Sequence, residues 1–164
     1  MRISHYEEVQ RFSQVKWLWF VFIALLIVEL LVLVPTTNDE NTWALLLSIG
    51  MLLLPMLFIL LVFKYEVKIN DEGLHYRFIP KIIRWKNIPI TAIESFRVKE
   101  KETWFEKIQC GFHRNIFKNT ITINITGSKY MVITLRGAGT LKLGTENADS
   151  MAYSLKQILQ ADHE

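Results

Sequence analysis

Tyr65–Ile79 reads YEVKINDEGLHYRFI. On either side of Asp71-Glu72-Gly73 the side chains alternate between apolar and polar, the period of a half-buried strand. Gly73 is free to take the positive φ of a tight turn, so the stretch predicts a β-hairpin of Tyr65–Asn70 and Leu74–Ile79.

The same alternation continues C-terminally in short pieces. Ile83–Trp85, bounded by Pro80 and Pro89, reads as a short third strand. Ile93–Lys99 follows, and the slip in its apolar spacing between Ile93 and Phe96 predicts a bulge or bend. Thr120–Ile125, Tyr130–Leu135 and Thr140–Leu143 read as three more strands, separated by Thr126-Gly127-Ser128 and Gly137-Ala138-Gly139. Residues Glu100–Arg114 form a charged, aromatic-bearing loop with no assigned element. The chain closes in a helix: Asn147 is a suitable N-cap, Asp149 stands in the first turn, and Met151, Leu155, Ile158 and Leu159 recur on one face.

N-terminal to the hairpin the character changes. Trp17–Val34 is WLWFVFIALLIVELLVLV, interrupted only by Glu29, and Trp43–Phe63 is WALLLSIGMLLLPMLFILLVF, with no charge. Each is about as long as a ~30 Å hydrocarbon core requires. Lys16 and Lys64 flank the pair, and Trp17, Trp19 and Trp43 lie near the run ends, where indole favours an interface. No small-residue cleavage site follows the first run, only the polar connector PTTNDENT. The expectation is a two-helix transmembrane hairpin over 17–64 (17–34 and 43–63), preceded by a cytosolic tail, 1–16, and followed by a domain over 65–164. Arg2, Arg11 and Lys16 in the tail, against Asp39 and Glu40 in the connector, put both termini in the cytosol. The corresponding localisation is the cytoplasmic membrane of a bacterium.

Charge and composition narrow the function. The 164 residues carry a formal charge of +3, and Lys64–Glu164 alone holds 16 Lys and Arg against 11 Asp and Glu. That excess suits an anionic membrane surface. It is dispersed among acids, which speaks against nucleic acid, and ordinary solubility accounts for it equally well. With Cys110 the only cysteine, neither an intrachain disulfide nor a cysteine-based zinc site can form. His5, His75, His113 and His163 are scattered, and no metalloprotease, nucleophile-elbow, P-loop or dinucleotide motif is present. The sequence therefore points away from an enzyme and calls for no cofactor or metal.

Two groups of residues stand out as candidates. Pro80–Asn87, PKIIRWKN, offers Lys81, Arg84 and Lys86 to phosphate head groups, with Ile82 or Trp85 entering the interface. The competing reading, and the preferred one, turns Ile83 and Trp85 inward on a strand and leaves the charges solvated. Lys99, Lys101, Lys107, Arg114 and Lys118 make a second basic group, interrupted by Glu100, Glu102 and Glu106. Within the apolar runs, Glu29 is a costly carboxylate that wants a partner. Ser48, at about the same level on the other helix, could bond it; reaching the outer interface is the alternative, and one carboxylate makes a poor ion pathway. Gly50 and Pro55 mark close approach and a kink. The Asn124-Ile125-Thr126 triplet fits a glycosylation pattern but reads better as strand and turn chemistry.

Asp71-Glu72-Gly73 leading into Tyr76-Arg77-Phe78 and Pro80, then Trp85, Ile93, Gly111-Phe112, Arg114, Asn124-Ile125-Thr126-Gly127 and Gly144-Thr145 occur in an order that resembles the bacterial pleckstrin-homology-like domains of small membrane proteins. The resemblance covers roughly Tyr65–Leu159. It departs from the family at Lys107–Gly111, where a glycine-rich, tryptophan-containing turn is usual, and at Ala148, where proline is common. It implies a seven-stranded β-barrel closed by the C-terminal helix, within a mainly β or α+β class, and brings no reaction or ligand. The functional expectation is a membrane-anchored, non-enzymatic binding or assembly module that docks a protein partner, a second copy or the anionic inner leaflet. A structural subunit assembled through the hairpin is the first alternative, and an enzyme or transporter subunit the second.

Overall fold

A computed structural model describes residues 4–33, 42–108, 110–137 and 139–161. The chain divides into two compact units, Met1–Gln10 with Lys64–Glu164, and Arg11–Phe63.

In the first unit, strands β1 (Ser4–Arg11, its last residue in the second unit), β2 (Lys64–Asn70), β3 (Gly73–Ile79) and β4 (Ile82–Pro89) form one sheet in the order β1-β2-β3-β4. The hairpin at Tyr65–Ile79 is as expected, with Tyr65 opposite Phe78 and Asn70 opposite Gly73. Gly73 has φ +134°, and a Cβ there would strike the Ile88 carbonyl oxygen on β4. The sheet's inner face holds Tyr65, Val67, Ile69, Leu74, Tyr76 and Phe78, all buried.

Five further strands make a second sheet in the order β5-β8-β9-β7-β6: β5 (Ile93–Glu100), β6 (Gly111–Asn115), β7 (Thr120–Asn124), β8 (Lys129–Leu135) and β9 (Gly139–Thr145). The expected irregularity near Ile93 is present as a register shift between Ile93 and Ser95. All neighbours are antiparallel except β7 and β9, which run parallel. Helix α4 (Ala148–Ala161) buries Met151, Leu155 and Ile158, the face its spacing indicated, against β8, β5 and β2.

The seven-stranded barrel is corrected. The strands fall into two separate sheets of four and five, each with two edges. Two sources supply the extra strands. Ser4–Arg11, placed by sequence in a tail, is β1, and the unassigned Glu100–Arg114 region yields the short helix α3 (Trp104–Ile108) and the start of β6. Between β4 and β5, Pro89 and a 3-10 turn at Ile90–Ala92 interrupt the strand path. Pro89 has no N–H to extend a ladder.

The second unit contains α1 (Lys16–Leu33) and α2 (Thr42–Val62). At their base the Phe12 and Phe63 rings meet edge-on at 5.4 Å. Phe12 N donates to the Phe63 carbonyl at 3.2 Å, and Trp19 Nε1 donates to the Ser13 carbonyl at 2.8 Å. Among the described residues no helix is long and apolar enough to cross a membrane. The expected transmembrane hairpin is corrected accordingly, and with it the integral bilayer contact and the placement in a bacterial cytoplasmic membrane with cytosolic termini. In α1 the ground is charge: between Lys16 and Glu29 the uncharged stretch Trp17–Val28 rises only about 18 Å, short of the ~20 residues a crossing takes. In α2 the apolar run is interrupted by Pro55, which removes a ladder hydrogen bond. Asp39, Glu40 and most of the connector lie outside the described residues, as does Arg2.

Candidate functional site: a cationic recess beside the β6–β7 turn

Strand register assembles this site. Across the antiparallel β6–β7 pair, His113 stands opposite Thr122 and Asn115 opposite Thr120. Across the parallel β7–β9 pair, Thr122 stands beside Lys142. Opposite partners share a face, so His113, Asn115, Thr120, Thr122 and Lys142 line one side of the sheet. The alternate residues Ile123, Leu141 and Leu143 go to the core, where each is buried.

The four-residue connection Ile116–Asn119 is held by its own hydrogen bonds. Lys118 N donates to Asn115 Oδ1 at 3.1 Å, Asn119 N to the Ile116 carbonyl at 3.3 Å, and Thr140 N to the Asn119 carbonyl at 3.0 Å. Asn119 takes φ +43°, a left-handed conformation that asparagine tolerates well. Two large apolar residues occupy the tip, Ile116 at 79% and Phe117 at 103% exposure.

Beside this turn opens a recess of about 540 Å³, lined by the outward face just described together with Arg114, Lys118 and the tip residues. Its charged groups are all basic: Arg114, Lys118 and Lys142, with His113 adjacent. Among the described residues, ion pairs engage Lys64, Lys68, Arg77, Lys99 and Lys129 but none of the three recess cations. Glu106 on α3 feels the charge of Lys142. Burial pushes its carboxyl up, but the Thr103 and Glu102 N–H groups, then Lys99 and Lys142, hold it below the usual range. The recess therefore presents donors and positive charge. Among the described residues no hydrogen bond joins His113 to either threonine hydroxyl; that of Thr120 is spent on the Lys118 carbonyl at 3.1 Å.

The residues singled out by sequence are placed otherwise. Lys81 sits over the Phe112 ring at 4.2 Å. Trp85 is 37% exposed and Ile83 is exposed too, so the inward placement preferred from sequence is corrected. Trp85 lies under the Arg77 guanidinium at 4.5 Å and the Lys68 ammonium at 5.4 Å. Arg77 in turn bonds Glu66 at 2.5 Å. Arg84 and Lys86 are exposed, but strand alternation points them to the face opposite Trp85. The four do not form one patch. In the second unit Glu29 and Ser48 are both half-buried, and Glu29 Oε2 has no hydrogen-bond partner, so the expected bond to Ser48 is not made by that oxygen. Of the second basic group, Arg114 and Lys118 reach the recess. Lys101 is instead buried, its ammonium donating to the Gly127 carbonyl and lying 5.1 Å from the Tyr130 ring.

A second polar centre is wholly internal. Along β1, Tyr6, Glu8 and Gln10 point inward and are buried. The Glu8 carboxylate accepts from the Tyr6 hydroxyl, from Thr145 Oγ1 at 2.7 Å, from Gln10 Nε2 at 2.7 Å and from Glu146 N at 2.9 Å. Gln10 also donates to the Gly144 carbonyl at 2.9 Å and accepts from Ile125 N and Thr126 N at 3.1 and 3.0 Å. Burial first, then the bond to Glu8, pushes the Tyr6 hydroxyl far above its ordinary value. Four donors on one carboxylate, with no cation among them, make this a structural pin for β1.

No family model matches the chain, and neither the curated proteins nor the solved structures contain a match to it. The resemblance to bacterial pleckstrin-homology-like domains draws no support from these comparisons.

Proposed function

We propose that this protein is a non-enzymatic binding module whose β6–β7–β9 recess takes an anionic, phosphate-bearing ligand. One observation carries the reading: three cations and a histidine converge on one recess whose lining contains no carboxylate. Charge-assisted hydrogen bonds from Arg and Lys to phosphate are among the strongest available to a protein surface. Titration of the full chain with pyrophosphate tests the proposal. Binding should weaken with added salt and fall about tenfold in Lys118→Ala and in Lys142→Ala, each loss corresponding to one charged hydrogen bond. Unchanged affinity in both variants would sink it.

A specific observation favours a second reading, assembly through the helical unit. Phe20, Leu31, Trp43, Leu47, Met51 and Leu61 are all strongly exposed on α1 and α2, and helices apolar all round are normally covered. Cross-linking of the full chain tests this: if the chain remains monomeric and partner-free, assembly through these helices is wrong.

A further inference from the structure

Resting on the anionic-ligand reading, we infer that the phosphate this recess takes belongs to the surface of an anionic phospholipid bilayer, and that the β6–β7 turn is the wedge that enters it. The observation that adds the membrane is the tip. Ile116 and Phe117 project at 79% and 103% exposure from a turn fixed by the Asn115 and Asn119 hydrogen bonds. They adjoin Arg114 and Lys118 in the chain and help line the same recess.

The chemistry is that of an interface. Apolar and aromatic side chains favour the boundary between head groups and acyl chains, while neighbouring Lys and Arg meet the phosphates above it. A convex apolar tip rimmed by cations has no use for a free soluble anion, which needs only the recess. It is equally unsuited to a protein groove reached without charge, which would leave three cations without partners. The charge complementarity selects an anionic bilayer over a neutral one, and the turn's internal hydrogen bonds present the wedge already formed, so little ordering cost falls on binding.

The test uses the full chain with Cys110→Ser and Phe117→Cys, the introduced thiol carrying an environment-sensitive fluorophore. Tyr153→Cys, an exposed position on α4, serves as the control label. Mixed phosphatidylcholine–phosphatidylglycerol vesicles should blue-shift the label at position 117 and leave the label at 153 unmoved. The shift should be lost in high salt, and vesicle affinity should fall about fivefold for each of Lys118→Ala and Lys142→Ala. In the unlabelled chain Phe117→Ser should lower vesicle affinity about tenfold or more. Pyrophosphate binding without any shift at 117 would overturn the membrane inference and leave the anionic-ligand reading standing. Failure to bind either probe overturns both. An equal shift with pure phosphatidylcholine would overturn the inference too, since the recess cations would then have no part in docking.

Discussion

A buried hydroxyl without a partner is a standing cost, and Tyr65 carries one: its side chain is fully buried and its OH has no hydrogen-bond partner. Tyr65→Phe removes the orphan without leaving a hole, so stability should hold or rise by about 1 kcal/mol. Urea unfolding followed by circular dichroism reads this directly, and a loss above that size would mean the hydroxyl does have a partner. Glu8 is the opposite case. Glu8→Ala strands the buried donors of Tyr6, Thr145 and Gln10, and should cost roughly 3 kcal/mol or more in the same assay. None of this was legible beforehand, because Tyr6, Glu8 and Gln10 put polar groups at the inward positions of a strand. Period-two reading looks for apolar residues there, so SHYEEVQR passes for a solvated tail. Trp85 misled in the reverse direction: an aromatic flanked by cations reads as inward, yet Arg77 and Lys68 cover it from the solvent side.

At the scale of elements, the sequence was most informative where one face is apolar and the turn chemistry is strong. The β2–β3 hairpin met both conditions, and so did α4, whose buried Met151, Leu155 and Ile158 follow the helical repeat. Leu155→Ala should therefore cost about 2–5 kcal/mol through the cavity it leaves, measurable as a drop in Tm. Strand β6 was hidden because its register partners lie on β7, and four of its five residues, from Phe112 to Asn115, give no sustained alternation of their own. The recess inherits that blindness. Its cations sit on β6, the turn and β9, which only the parallel β7–β9 pairing brings together. Gly73→Ala tests the other element-level reading, that β3 and β4 approach too closely there for a side chain. With φ at +134° and the Ile88 carbonyl in the way, it should destabilise by about 1–3 kcal/mol, seen as a lower urea midpoint.

For the molecule as a whole, pH offers a prediction with a definite sign. Burial pushes the hydroxyls of Tyr6, Tyr65, Tyr76 and Tyr130 above their ordinary value, and does the same to the Cys110 thiol. Each raised group holds its proton in the folded chain after the unfolded chain has released it. Their contribution is complete below the unfolded values, about 8.5 for the thiol and ~10 for the phenols, and is lost as pH climbs past them. Lys101 acts oppositely: burial lowers its ammonium, so its share rises toward ~10.4. One lysine stands against four tyrosines, and thermal melts from about pH 8 to about pH 11 should show Tm falling on the alkaline side. A flat profile would contradict the burial of these hydroxyls.

The pin at Glu8 and Gln10 has a consequence for synthesis. It joins β1 to Gly144 and Thr145, 134 and 137 residues further along the chain. On a ribosome, β1 emerges well before β9 and must wait for it before its inward polar groups find their donors and acceptors. The β2–β3 hairpin and the β6–β7 pair close over short loops and can form while translation continues. The four-stranded sheet gains its secured outer edge only once β9 has emerged. During that interval the bare flank of β2 is an open template for another nascent chain, and slowing translation upstream of β9 should raise the yield of aggregated over folded protein.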